Sequence, residues 1–128
     1  MWHYVKTVTL LLLILLPINA AAQATTQAAT DIHHLVFVWL KTDTTPQQLE
    51  DTLDATQTLA GILGVEDFKV AKAIPSERAA VDDSFSFGIT MRFKTHAVMQ
   101  HYLAHDIHQA YLRDHIKGKA AKVVIHDF

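Results

Sequence analysis

The chain has 128 residues, no cysteine and a formal net charge of −2 with histidine neutral. That excludes disulfide bonds. With the charges scattered and no basic stripe, it also argues against a nucleic-acid-binding surface.

The N-terminus has the layout of an export signal. Met1 to Tyr4 and Lys6 form a short, weakly basic head, and Val8 to Leu16 is an apolar run that Pro17 ends. The run is too short to span a bilayer. Ala20-Ala21-Ala22 offers a small-residue cleavage site, with Ala22-Gln23-Ala24 as a second choice. Residues 1–22 are therefore expected to be a signal peptide, the alternative being an uncleaved anchor. Residues 23–31 are expected to be a flexible lead-in. The product would be periplasmic or secreted, with no membrane association after cleavage. What remains, residues 32–128, is one domain of roughly a hundred residues, which folds alone with a thin margin.

Ile32 to Lys41 reads as a β-strand, because β-branched and aromatic residues dominate it. One face carries Ile32, His34, Val36, Val38 and Leu40; the other carries His33, Leu35, Phe37 and Trp39. Both faces are mostly apolar, so helices covering one still leave the other to be dried, and a second copy of the chain is the simplest cover. Thr45, Pro46 and Gln48 form a helix start of the capping-box type. The periodicity predicts a helix to about Leu63, with Leu49, Leu53, Thr56, Ala60 and Leu63 on one stripe and Leu59 beside it. Gly61 and Gly64 help to stop it.

Val65 to Ile74 is a second strand and Pro75 to Asp83 a charged loop. Ser84 to Phe93 alternates cleanly, which predicts a strand with Phe85, Phe87, Ile89, Met91 and Phe93 on one face. Thr95 caps the next helix, and a further helical stretch runs from Ile107 to Ile116, with a break near Asp106 left open. Lys117-Gly118-Lys119 ends that stretch, and Lys122 to Phe128 is the last strand. The order β-α-β-β-α-β predicts an α+β, ferredoxin-like fold: a four-stranded antiparallel sheet with helices on one face.

From Ile32 to Phe128 the chain resembles the stress-responsive dimeric α/β barrel (Dabb) family. The resemblance rests on the opening strand His34-Leu35-Val36-Phe37-Val38-Trp39-Leu40-Lys41, on the strand start at Gly64, Val65 and Phe68, and on Tyr102-Leu103-Ala104-His105-Asp106-Ile107-His108, which is similar to a Tyr-x-x-His-Pro-x-His pattern. It implies a homodimer in which two sheets close a barrel. One plant member, olivetolic acid cyclase, closes a polyketide chain, and the resemblance implies pocket positions for His34, Tyr102 and His108, with His108 as base. His105 matches the first histidine of the pattern. Asp106 departs from the usual proline, and Phe87 stands where another pocket histidine is expected.

The histidines allow three readings. His108 abstracts a proton while Tyr102 and His34 hold a carbonyl or phenolic oxygen. Or two or three of His34, His101, His105 and His108 bind zinc or copper, with oxygen from Asp106, although no tight metal spacing is present. Or His96, His101 and His115 are solvated, and His34, Tyr102 and His108 only line a satisfied polar pocket. His33 and His126 are placed at the dimer interface. The leading expectation is a homodimer that binds a small, partly apolar ligand through His34, Tyr102, His105 and His108, with no metal or other cofactor. The alternatives are a cyclase- or lyase-like enzyme using His108, Tyr102 and His34, and a structural, protective dimer without catalysis.

Overall fold

The computed structural model describes residues 31–128. The expected signal peptide and all of the lead-in but Asp31 lie outside the described residues. The elements are β1 (Ile32–Leu40), α1 (Pro46–Gln57), β2 (Glu66–Lys72), β3 (Phe87–Phe93), α2 (His96–Ala104), α3 (Asp106–Tyr111) and β4 (Ala120–Asp127). A 3-10 turn, Thr58–Gly61, follows α1, and a π turn, Leu112–Ile116, follows α3. The four strands form one antiparallel sheet in the order β2-β3-β1-β4. This is the ferredoxin-like arrangement that the element order predicts.

Local chemistry sets the helix starts. The Thr45 side chain accepts from the Gln48 amide while the Gln48 side chain accepts from the Thr45 amide, and Pro46 occupies the first turn. Thr95 caps α2 through the Val98 amide. α1 ends earlier than its periodicity predicts. The chain tightens into the 3-10 turn after Gln57, which rotates the following side chains. Leu59 and Ile62 become buried, and Leu63 is 83% exposed rather than on the apolar stripe.

The even-numbered face of β1 meets the helices. His34 pairs with Met91, Val36 with Ile89 and Val38 with Phe87 on one side; His34 pairs with Asp127, Val36 with Ile125 and Val38 with Val123 on the other. Val38, Phe87, Ile89, Met91 and Phe93 join Leu59, Ile62, Met99, Tyr102 and Tyr111 in the buried core. Gly64 fastens the start of β2 to α2. Its φ is +93°, and a Cβ there would lie 2.3 Å from Cγ1 of Val98.

No helix covers the opposite face of the sheet among the described residues. Phe85 belongs to this face, not to the face of Phe87 as strict alternation predicts. β3 begins only at Phe87, so the period of two does not extend back to Phe85. Its ring packs against Phe37 at 5.0 Å and Trp39 at 6.1 Å between centroids. Lys122 sits over the Trp39 ring, and the Trp39 indole donates to Ser84. Leu35, Phe37 and Trp39 remain partly exposed. At the far edge, a bulge between Glu66 and Lys69 puts Asp67 at φ 51°. Arg92 binds Asp31, Glu66 and Asp67 there.

Replacing Gly64 with alanine adds both a left-handed φ and the Val98 overlap, for an expected loss of about 2–4 kcal/mol. Urea unfolding should show a lower midpoint with an unchanged slope.

Candidate functional site

Between the helix face of the sheet and α2, α3 and the π turn lies a cavity of about 210 Å³. Its walls are largely aliphatic, supplied by residues such as Val36, Ile89, Leu103 and Ile125. Four other side chains bring polar atoms to it: His34, Tyr102, His108 and Tyr111. The first two face it because β1 and α2 pack core to core. The second two face it because the helix breaks. His105 takes an extended conformation (φ −67°, ψ 139°), and α3 restarts at Asp106 in a new direction. The break needs no proline, since the His105 imidazole accepts the Ile107 amide at 3.2 Å and so caps the new helix.

The break also sorts the histidines. On an unbroken helix His101, His105 and His108 share a face; here only His108 turns inward. His101 is exposed, and its ring lies 5.6 Å from that of His105. His105 is occupied as a cap and does not line the cavity, so the structure does not group it with His34, Tyr102 and His108. On the third strand Ile89 faces the cavity; Phe87 is fully buried in the core and is not part of the lining. Among the described residues no three or more His, Asp or Glu side chains converge as metal ligands.

Hydrogen bonds fix the role of each polar atom. Nδ1 of His108 lies 3.0 Å from the Leu103 carbonyl, which can only accept, so Nδ1 carries the proton and Nε2 keeps a lone pair. Nδ1 of His34 lies 2.5 Å from Oδ1 of Asp127 and is protonated for the same reason. Asp127 thus holds the His34 ring by one nitrogen and leaves the other for the cavity. The Tyr102 ring lies between the two imidazoles, 6.1 Å from His34 and 4.5 Å from His108 by centroids. Burial pushes the Tyr102 phenol well above its ordinary pKa, so it stays a proton donor. Burial pushes Tyr111 up to about 12. Thr56 gives its only hydroxyl proton to the Thr52 carbonyl at 2.6 Å, so Tyr111 donates to Thr56 at 2.8 Å. Burial lowers the pKa of His108 against the raising effect of its bond to Leu103, and the nearby His34 lowers it further. The cavity therefore offers the Nε2 lone pair of His108, the second ring nitrogen of His34 and one phenolic donor in apolar surroundings. Such a set can hold a carbonyl or hydroxyl oxygen and move a proton.

Sequence reasoning did not single out Asp127, Tyr111 or Thr56. Asp127 meets His34 only through strand pairing across 93 positions, which leaves no local signal. Tyr111 carries helical periodicity alone.

The stress responsive A/B barrel domain family matches residues 32–128, and the chain belongs to that family. Comparison with curated proteins gives no match. Among solved structures, a Dabb family protein with a ferredoxin-like fold from Mesorhizobium loti is 27% identical, with a TM-score of 0.63 over 77% of this chain and 94% of that one. A dimeric ferredoxin-like protein of unknown function from Thermobifida fusca is 22% identical, with a TM-score of 0.64 over 77% and 89%. The hydroxynitrile lyase of Passiflora edulis shares the fold at 14% identity, with a TM-score of 0.68 over 78% and 93%.

A histidine whose pKa is lowered by folding binds its proton more readily in the unfolded chain, so it favours unfolding on acidification. Its contribution is intact above the unfolded value of about 6.5 and is lost as pH falls from there toward the lower folded value. Denaturation midpoints measured from pH 8 to pH 5 should therefore drop below about pH 6.5. The drop should be shallower in His108→Gln.

Proposed function

We propose that this protein is exported and works as a homodimer that binds a small, partly apolar ligand bearing a carbonyl or hydroxyl oxygen. The observation that carries the reading is the convergence of His34, Tyr102 and His108 on one apolar cavity that no phenylalanine or leucine fills. That space also counts against a purely structural dimer. In the ligand-bound form the Tyr102 phenol donates to the ligand oxygen, and Nε2 of His108 accepts from its hydroxyl or enol. The aliphatic walls take the rest of the ligand, where apolar contact is worth roughly 25 cal/mol per Å² buried.

The dimer reading rests on the uncovered sheet face. Leu35, Phe37, Trp39 and Phe85 form one apolar cluster there, and burying each fully is worth roughly 1.5–3 kcal/mol. A small domain has only about 5–15 kcal/mol of net stability. A second copy of the same face supplies a self-complementary cover. The dimeric Thermobifida fusca neighbour supports it. Export rests on the leader at residues 1–22.

A second reading, proton-transfer catalysis of a lyase or cyclase type, is favoured by the free Nε2 of His108 and its lowered basicity. An imidazole that stays neutral near pH 7 is poised to take a proton from carbon or oxygen. The Passiflora edulis lyase lends this reading support at the level of the fold.

Native mass spectrometry of the purified protein tests the binding reading and the dimer together. The expected spectrum is a dimer carrying a small molecule, with the ligand lost in His108→Gln and Tyr102→Phe. A wild-type protein that is a stable monomer at micromolar concentration, or that carries no ligand from a cell extract, would defeat the corresponding half. N-terminal sequencing of the exported product should begin near Gln23 or Thr25. If a ligand is found, turnover that disappears in His108→Gln selects the enzymatic reading; unchanged ligand selects the binder.

A further inference from the structure

A second concavity of about 390 Å³ lies at the far end of β1, lined by Lys41, Asp43, Asp51, His115 and Lys119 among others. β1 and the π turn line both spaces, while α1 lines the cleft and the 3-10 turn after it lines the cavity through Leu59. On β1, Val38 faces the inner cavity and Leu40 the outer cleft, two residues or about 6.6 Å apart. On α1, Thr52 faces the cleft, and Thr56 lies one turn, about 5.4 Å, further on. On the π turn, Leu112 and Ile116 face inward while His115 faces the cleft.

Tyr111 stands at the division. Its ring lines the inner cavity, and the His115 ring stacks beside it with centroids 5.9 Å apart. A single neutral hydrogen bond, to Thr56, fastens its hydroxyl. The π turn begins immediately after it, closed by the Lys117 amide on the Leu112 carbonyl at 2.8 Å. Such turns recur at functional sites. The divider is thus the stacked pair of Tyr111 and His115 rings, with Tyr111 held by that one side-chain hydrogen bond.

Size and charge point the same way. Ligand pockets usually measure roughly 300–1,000 Å³. The inner cavity alone falls short of that, and the two spaces together fall within it. The Lys41 amide bonds the Lys119 carbonyl at 3.0 Å, which sets two lysines on one wall beside His115. Neither lysine forms an ion pair among the described residues. On the other wall Asp51 already accepts from Gln47.

We propose that cavity and cleft are two compartments of one site, and that its ligand is an elongated amphiphile. A small apolar head bearing an oxygen sits by His34, Tyr102 and His108. A short chain passes Tyr111 and ends in a carboxylate held by Lys41 and Lys119. The proposal rests on the ligand-binding reading of the inner cavity given above.

Two probes that differ only in the tail test it: 4-methylphenol and 4-(4-hydroxyphenyl)butanoate, titrated calorimetrically into the full-length protein. The butanoate should bind wild type at least tenfold more tightly. The Lys41→Gln/Lys119→Gln double variant, altered only at exposed positions, should bring the ratio close to one. Tyr111→Phe, which unlatches the divider, should raise the ratio, with a thermal melt confirming that the variant is folded. If 4-methylphenol binds but the ratio is near one in wild type, or is unmoved by the lysine variant, the two-compartment proposal is overturned and the inner site stands. If 4-methylphenol does not bind, the reading of the inner cavity fails and the proposal fails with it.

Discussion

The register of β1 between its two neighbours is the constraint on which the rest depends. His34 faces the cavity because the even-numbered side chains of β1 meet the helices, and Asp127 reaches it because β4 pairs at that position. A strand has a side-chain period of two, so a slip of one residue would replace His34 with His33 and turn Val36 and Val38 out of the core. Pairing on both sides blocks that slip. Val38 against Phe87 and Val36 against Ile89 fill the core only in this alignment. Packing energy thus fixes the alignment, and the alignment positions the imidazole.

A second constraint acts through the helix break. His105 spends its side chain on capping α3, and the new direction brings His108 and Tyr111 under the sheet. The buried threonines of α1 complete the arrangement. Thr52 and Thr56 bond back to carbonyls four residues earlier, so their hydroxyls are satisfied within the helix. Thr56 keeps an oxygen lone pair for Tyr111. No fully buried polar side-chain atom among the described residues lacks a partner, so the Thr52, Thr56 and Tyr111 hydroxyls sit inside an otherwise apolar core with their hydrogen bonds met.

What the sequence disclosed follows the range of each interaction. The caps at Thr45 and Thr95 were legible because capping involves residues three apart. The order of strands and helices was legible because periodicity is local. The face of Phe85 and the exposure of Leu63 were not, since each depends on where a regular element stops, and the chain tightens or begins a strand without a distinctive residue. Within the site, His34, Tyr102 and His108 were reached through resemblance to the family. Asp127 could not be read, because only sheet pairing joins it to His34. The fate of His105 turned on whether the helix broke, which Asp106 in place of proline left open.

The irregular end of β2 has a bearing on self-association through backbone hydrogen bonds. β2 lies at the border of the sheet, where unpaired amides and carbonyls can template another strand. Asp67 leaves the extended conformation there, and Arg92 gathers Glu66, Asp67 and Asp31 over the same spot. Lys69 and Lys72 add charge further along. Lys72 is paired with Glu50, so a flat incoming strand would meet a kink and then the ammonium group of Lys69, and this border resists fibre-like growth.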